Sequence, residues 1–98
     1  MLKTSQIRAD LKEIRYYYKM KKLFDDAEQL VKPEIVINKV NRYSTIMKTA
    51  PAKLFVIYYA LYVDGKTHQK LAEEWNYSRE YITRLNDALI IHLQKNLI

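Results

Sequence analysis

Apolar residues recur at helical spacing through the first third of the chain. One helix face is formed by Ile7, Leu11, Ile14 and Tyr18, each three or four residues from the next. A slowly drifting stripe continues this face through Tyr17, Met20, Phe24, Ala27 and Val31. This period predicts an amphipathic helix from about Ser5 to about Leu30. Its other side is lined by cations: Arg8, Lys12, Arg15, Lys19 and Lys22. Pro33 disfavours helical geometry in the residue before it, so we expect the helix to end at Lys32-Pro33.

Two more helices are predicted before residue 66. Val36, Val40, Tyr43 and Met47 keep helical spacing, which predicts a second helix from Pro33 to about Lys48. Thr49-Ala50-Pro51 is the next break, and the third helix, 51–63, is PAKLFVIYYALYV. Because that segment is apolar on nearly all sides, we expect it to be the central, buried helix. Gly65 suits the left-handed residue that follows a helix end.

The last third predicts two helices joined by a tight turn. Thr67 is a good N-cap for a short helix to about Trp75, and Ser78 caps the helix that follows. Between them Asn76 can adopt the left-handed backbone that such a turn needs. Glu80 places a carboxylate near the positive end of the second helix. The predicted core positions of this pair are Leu71, Ala72, Trp75, Tyr77, Ile82, Leu85 and Leu89, and the predicted outward positions are Arg79, Thr83, Arg84 and Asp87.

A short helix, a turn and a second helix with a polar exposed half are typical of a DNA-binding helix-turn-helix. Any antiparallel helix pair in a small bundle also has caps, a turn and amphipathic faces, so an ordinary bundle is the alternative. In either case the sequence predicts an all-α fold of about five helices. We expect a single domain, 1–98, with a basic N-terminal helical part, 1–48, and a helix-turn-helix part, 51–98.

Composition narrows the classes of function. One glycine and two prolines argue against a sheet built on tight turns, and one glycine cannot form a phosphate-binding loop. The chain has no cysteine, and its two histidines, His68 and His92, cannot build a zinc site alone. No serine or carboxylate stands at a spacing that suggests a catalytic set with either histidine. We therefore expect no enzyme, no cofactor and no metal.

The expected location is the cytoplasm. The start, MLKTSQIRADLKEIR, has no apolar run like a signal peptide. No stretch approaches the roughly 20 apolar residues that span a bilayer, so no membrane partner is expected.

Charge is unevenly distributed. The net charge is +6, and residues 1–48 carry 11 Lys and Arg against 6 Asp and Glu, whereas residues 49–98 carry 6 against 5. A basic chain suits a polyanion such as nucleic acid, but an ordinary basic surface explains the same number equally well. The basic excess lies in the first half, away from the predicted helix-turn-helix.

Residues 56–93 resemble a known domain, the region-four helix-turn-helix of bacterial sigma factors. They are more similar still to small phage and prophage transcriptional regulators of the ArpU and RinA type. The basic, tyrosine-containing LKEIRYYYKMKKLFD near the start is also like those regulators. The features that carry the resemblance, in chain order, are Tyr62, Asp64, Gly65, Thr67, Leu71-Ala72-Glu73-Glu74 and Asn76-Tyr77-Ser78-Arg79. The turn glycine common in those regulators is Asn76 here.

The resemblance implies a transcriptional regulator, phage or prophage encoded, that binds double-stranded DNA. It implies that one set of residues meets base edges or nearby phosphates: Ser78, Arg79, Glu80, Thr83 and Arg84. Thr67 and Gln69, at the start of the preceding helix, would contact the backbone. Glu80 would accept from cytosine or serve only the helix dipole.

The recognition helix has few cations, so other parts must supply phosphate affinity. The candidates in the first helix are Arg15, Lys19, Lys21 and Lys22. A homodimer is the other solution, with the apolar side of the first helix contributing to its interface. A different class of function also stays open: an adaptor that uses the same helix-turn-helix to dock on RNA polymerase or on a ribonucleoprotein particle.

Overall fold

The structure, a computed structural model, describes residues 2–23 and 34–97. These residues form five helices and no strand, which confirms the predicted fold class. The helices are α1 (Thr4–Leu23), α2 (Glu34–Lys48), α3 (Ala52–Tyr58, continued by a π-helical turn, Tyr59–Val63), α4 (His68–Trp75) and α5 (Arg79–Asn96). The predicted continuation of the first helix to Leu30, its end at Pro33 and the apolar positions Phe24, Ala27 and Val31 lie outside the described residues.

The core gathers around α3 and α5, each of which contacts the other four described helices. Ile82, Leu89 and Leu93 of α5 have no exposed surface. Ile7 and Ile14 of α1 are equally buried, so the first helix shares one core with the last. The long helix that carries most of the basic excess is thereby fixed against the C-terminal helix pair.

The central position of α3 is confirmed, but its burial on all sides is wrong. Ile57 and Leu61 are buried, whereas Phe55, Val56 and Tyr59 are 39%, 47% and 48% exposed. The neighbouring helices cover only one side of α3, because a domain of this size has too few elements to enclose a helix completely. The apolar residue types of α3 do not by themselves predict which side of the helix stays exposed.

Hydrogen-bonded polar groups link the helices. The Tyr43 hydroxyl donates to Asp10 Oδ2 at 2.7 Å, and Lys39 Nζ lies 2.9 Å from Asp10 Oδ1, which joins α1 to α2. Burial and the Asp10 carboxylate raise the pKa of Tyr43, so its hydroxyl stays a donor. On the other side of the core, the Tyr62 hydroxyl donates to the buried Asn86 and joins α3 to α5.

Part of the α1 surface that is expected to form a dimer interface is buried in the core of the domain. Tyr17 belongs to the apolar stripe of the first helix, from which a dimer interface is expected, and it is only 5% exposed. It packs inside the domain because α1 turns this side toward the core. The described part of α1 therefore offers less apolar surface for a dimer than its sequence predicted.

Among the described residues, none of the helices combines the length and the apolar character that crossing a bilayer requires.

Candidate nucleic-acid interface

The α4–α5 unit consists of α4, the turn 76–78 and α5, and its local geometry agrees with the sequence. Thr67 Oγ1 accepts from the Lys70 backbone N–H at 3.0 Å, and Ser78 Oγ accepts from the Tyr81 N–H at 3.1 Å. Asn76 has φ 58° and ψ 43°, the left-handed conformation expected of the turn. Each cap satisfies a backbone donor that a helix start otherwise leaves without a partner.

All seven residues proposed from the resemblance are exposed. They are Thr67, Gln69, Ser78, Arg79, Glu80, Thr83 and Arg84. The two capping side chains use their oxygens as acceptors, and a hydroxyl keeps its own proton to donate. Thr67 and Ser78 can therefore cap their helices and still donate to an anionic oxygen.

Helix α1 lies directly beside this unit. Arg8 Nη2 is 3.3 Å from Asp87 Oδ1 on α5. Arg15 Nη2 donates to the Gly65 carbonyl at 2.8 Å, and Lys22 Nζ donates to the Asp64 carbonyl at 2.9 Å. These carbonyls belong to the end of α3, where cations are stabilised by the helix dipole and by free carbonyl groups.

The backbone at the end of α3 has the conformation that the hydrogen bond between Arg15 and Gly65 requires. The Asp64 N–H bonds to the Tyr59 carbonyl at 2.8 Å and the Lys66 N–H to the Ala60 carbonyl at 3.0 Å, so the helix ends in a wide turn. Gly65 has φ +75°, the left-handed value predicted for it. The turn presents the Gly65 carbonyl to Arg15.

Two adjacent clefts run between α1 and the rest of the domain. The first is about 480 Å³ and is lined by Lys12, Arg15, Lys19, Lys22, Asp64 and uncharged neighbours. The second, about 210 Å³, is lined by Arg8, Lys12, Arg15, Lys66, His68 and uncharged neighbours. Together they present six Lys and Arg side chains and one carboxylate. We call the surface formed by these clefts and the adjoining Arg79 and Thr83 the basic face.

His68 connects the clefts to α5. Its Nδ1 lies 3.2 Å from Thr83 Oγ1. Burial, followed by the charges of Arg79 and Arg15, lowers the pKa of His68 below its ordinary value, while Asp87 opposes the shift. Cations from α1 and from α5 thus lower the pKa of the same imidazole. The basic side chains of the first half of the chain therefore lie next to the α4–α5 unit.

The four candidate phosphate contacts of the first helix do not share one side. Arg15, Lys19 and Lys22 line the first cleft. Lys21 instead places its Nζ 5.8 Å from the centre of the Tyr17 ring. Lys21 is not among the residues that line either cleft.

The opposite edge of α5 is aromatic. Tyr77 is 54% exposed, so its predicted core position is wrong. It follows the left-handed residue, where the chain turns away from the core, and its ring packs against Tyr81 at 4.8 Å. Trp75 is mostly buried, as predicted, and packs against the core. We call the groove formed by Ala52, Lys53, Val56, Trp75, Tyr77, Tyr81 and Leu85 the aromatic edge.

Four basic side chains of the basic face have no binding role assigned from the sequence: Arg8, Lys12, Lys66 and His68. For Arg8 and His68 the sequence neighbours give no signal, because the partners of these two residues lie far along the chain. His68 and Thr83 are 15 residues apart, and Arg8 and Asp87 are 79 apart. The packing of α4 against α5 brings the first pair together, and the packing of α1 against α5 brings the second pair together.

Within residues 2–23 and 34–97, no group of three or more His, Cys, Asp or Glu side chains is placed to hold a metal ion. Comparison with family models, with characterised proteins and with solved structures found no match to the chain.

Proposed function

We propose that this protein is a sequence-specific regulator of transcription that binds double-stranded DNA, of the kind that phages and prophages encode. The observation that carries the proposal is the position of α1: its cations lie beside the exposed side of the α4–α5 unit. A helix pair with caps and a tight turn is common, but such a pair beside a cluster of cations suits a polyanion.

In this proposal α5 enters the major groove with its N-terminal half. Arg79 and Arg84 supply guanidinium groups for guanine, and each bidentate contact is worth about 1–3 kcal/mol of discrimination. Thr83 connects this helix to the clefts, since its Oγ1 lies 3.2 Å from His68 Nδ1. Glu80, in the first turn of α5, accepts from cytosine or stabilises the helix start.

The backbone contacts come from two sources. The hydroxyl groups of Thr67 and Ser78, with the amide of Gln69, donate to phosphates at the helix starts. The basic face supplies the charge that α5 lacks, since phosphate neutralisation provides much of the affinity of DNA-binding proteins. Asp87, the carboxylate nearest this surface on α5, is held by Arg8.

A salt titration tests the proposal. We expect a random-sequence duplex of about 20 base pairs to bind with an affinity that falls linearly in log salt. Four to six phosphate contacts give a slope of roughly −4 to −5, at about 0.9 per contact. Binding that is absent at low salt, or that does not respond to salt, would contradict the proposal.

The second candidate function is protein docking on RNA polymerase or a ribonucleoprotein particle. The aromatic edge favours it, because Val56 and Tyr77 are about half exposed beside partly buried aromatic rings. Exposed aromatic groups next to an apolar groove are typical of protein interfaces. Both functions can coexist, since the aromatic edge and the basic face lie on different sides of α5. An adaptor that does not bind DNA would show no salt-dependent duplex binding.

A further inference from the structure

We propose that His68 is a phosphate-binding residue of the basic face and that it takes up a proton when the DNA backbone occupies the adjoining cleft. The inference rests on the proposed DNA binding and adds a residue and a pH dependence to it.

The geometry places His68 at the junction of three elements. It is the first residue of α4, its Nδ1 contacts Thr83 Oγ1 of α5, and its ring lines the second cleft beside the α1 cations. A ring with one nitrogen on Thr83 has its other nitrogen, Nε2, left to bind a ligand. A phosphate that approaches the α1 cations in this cleft therefore also approaches His68.

Charged and titratable groups surround His68 from each neighbouring element. They are Arg8, Lys12 and Arg15 from α1, Tyr62 from α3, Lys66 from the loop before α4, and Arg79 and Asp87 from α5. Asp87 is paired with Arg8, and Lys66 with Glu74 at 2.7 Å. The surrounding charge is mainly positive, which together with burial keeps the imidazole neutral near pH 7 in the free protein.

A bound phosphate reverses this balance. An anion within about 4–6 Å favours the charged imidazolium, so the pKa of His68 rises when DNA binds. A group whose pKa is higher in the complex takes up protons on binding, and affinity then increases as pH falls. As pH falls, the affinity for DNA begins to increase near the pKa that His68 has in the complex. The increase ends below the lower pKa that His68 has in the free protein. Uptake of one proton on binding changes the affinity by at most about tenfold per pH unit.

The experiment measures duplex affinity of the full chain between about pH 7.0 and 5.5, at constant low salt, with a random-sequence 20-base-pair duplex as the probe. In this range histidine is the side-chain type whose ordinary pKa falls inside the window, since Asp and Glu titrate near 4. We expect binding to be about threefold to tenfold tighter at the lower pH. His68→Gln, which can still bond to Thr83 but cannot take up a proton, should remove most of that increase. The matched control, His92→Gln, should keep it.

A second measurement does not depend on a substitution. The ring protons of His68 report its titration by NMR, and we expect its midpoint to move to higher pH when the duplex is added. An unchanged midpoint, or a His68→Gln variant with the full pH dependence, overturns the inference. Failure of the proposed function looks different, because the duplex then fails to bind at every pH.

Discussion

The two edges of α5 differ in chemistry although they belong to one helix. Along one edge, Thr83 and Asp87 contact His68 and Arg8, and the neighbouring clefts are cationic. Along the other edge, Tyr81 and Leu85 border Trp75, Tyr77 and Val56. Glu80 and Arg84 lie exposed between them. The difference shows how a helix with nearly balanced charge can have one border suited to an anion and another suited to apolar groups.

The positive charge is distributed differently along the sequence and in space. Counted along the sequence, the basic excess in residues 1–48 lies far from the helix pair. In space, Arg8 of α1 contacts Asp87 of that pair, and Arg15 of α1 lines a cleft together with His68. A charge count by segment says little about a surface when the segments pack together.

The largest expected effect distinguishes the buried part of the aromatic edge from its exposed part. Trp75→Ala should lower the free energy of unfolding by about 3–5 kcal/mol, because a large, mostly buried ring is lost. Tyr77→Ala should cost less than about 1 kcal/mol, since that ring is more than half exposed. Urea denaturation followed by circular dichroism measures both. Equal losses would show that Tyr77 belongs to the core after all.

Next in size is the effect on DNA recognition. Arg84→Ala should weaken binding to the preferred sequence by about 1–3 kcal/mol and binding to random duplex by less. Lys95→Ala, which removes a cation from the last turn of the same helix, is the matched control and should change neither by much. The preferred sequence comes from selection on a random duplex pool. Equal weakening on both sequences would rule out base contact by Arg84.

The smallest effect concerns the ion pair between α1 and α5. Asp87→Asn removes a carboxylate from the basic face and should strengthen duplex binding by a few fold, about 0.5–1 kcal/mol. Both partners are about half exposed, so stability should change by less than about 1 kcal/mol. Glu73→Gln, an exposed substitution on α4 with the same change of charge, is the comparison. A weaker-binding Asp87→Asn would mean that Asp87 itself contacts a base.

The parts of the fold that depend on near neighbours were predictable from the sequence. The caps at Thr67 and Ser78, and the left-handed Asn76 and Gly65, follow from the chemistry of single residues within one turn. The exposure of the proposed site residues on α5 follows from helical periodicity in the same way.

Other features depend on contacts between distant segments. The buried Asn86 makes sense only with the Tyr62 hydroxyl opposite it, and His68 only with Thr83 and the α1 cations. The errors have a similar cause. Tyr77, Val56 and the exposed rings of α3 are apolar enough for a core, but packing of the other helices decides which apolar surface is covered.

The salt dependence of two double variants tests most directly the proposal that α1 and α5 form one DNA-binding surface. Lys12→Ala/Lys19→Ala removes two cations from the basic face. Lys21→Ala/Lys48→Ala removes two exposed lysines that do not line its clefts, with the same change in net charge. The slope of log affinity against log salt for a random duplex should become shallower by roughly two for the first variant, about 0.9 per lost contact, and stay unchanged for the second. Equal slopes for both variants and the parent protein would contradict the claim.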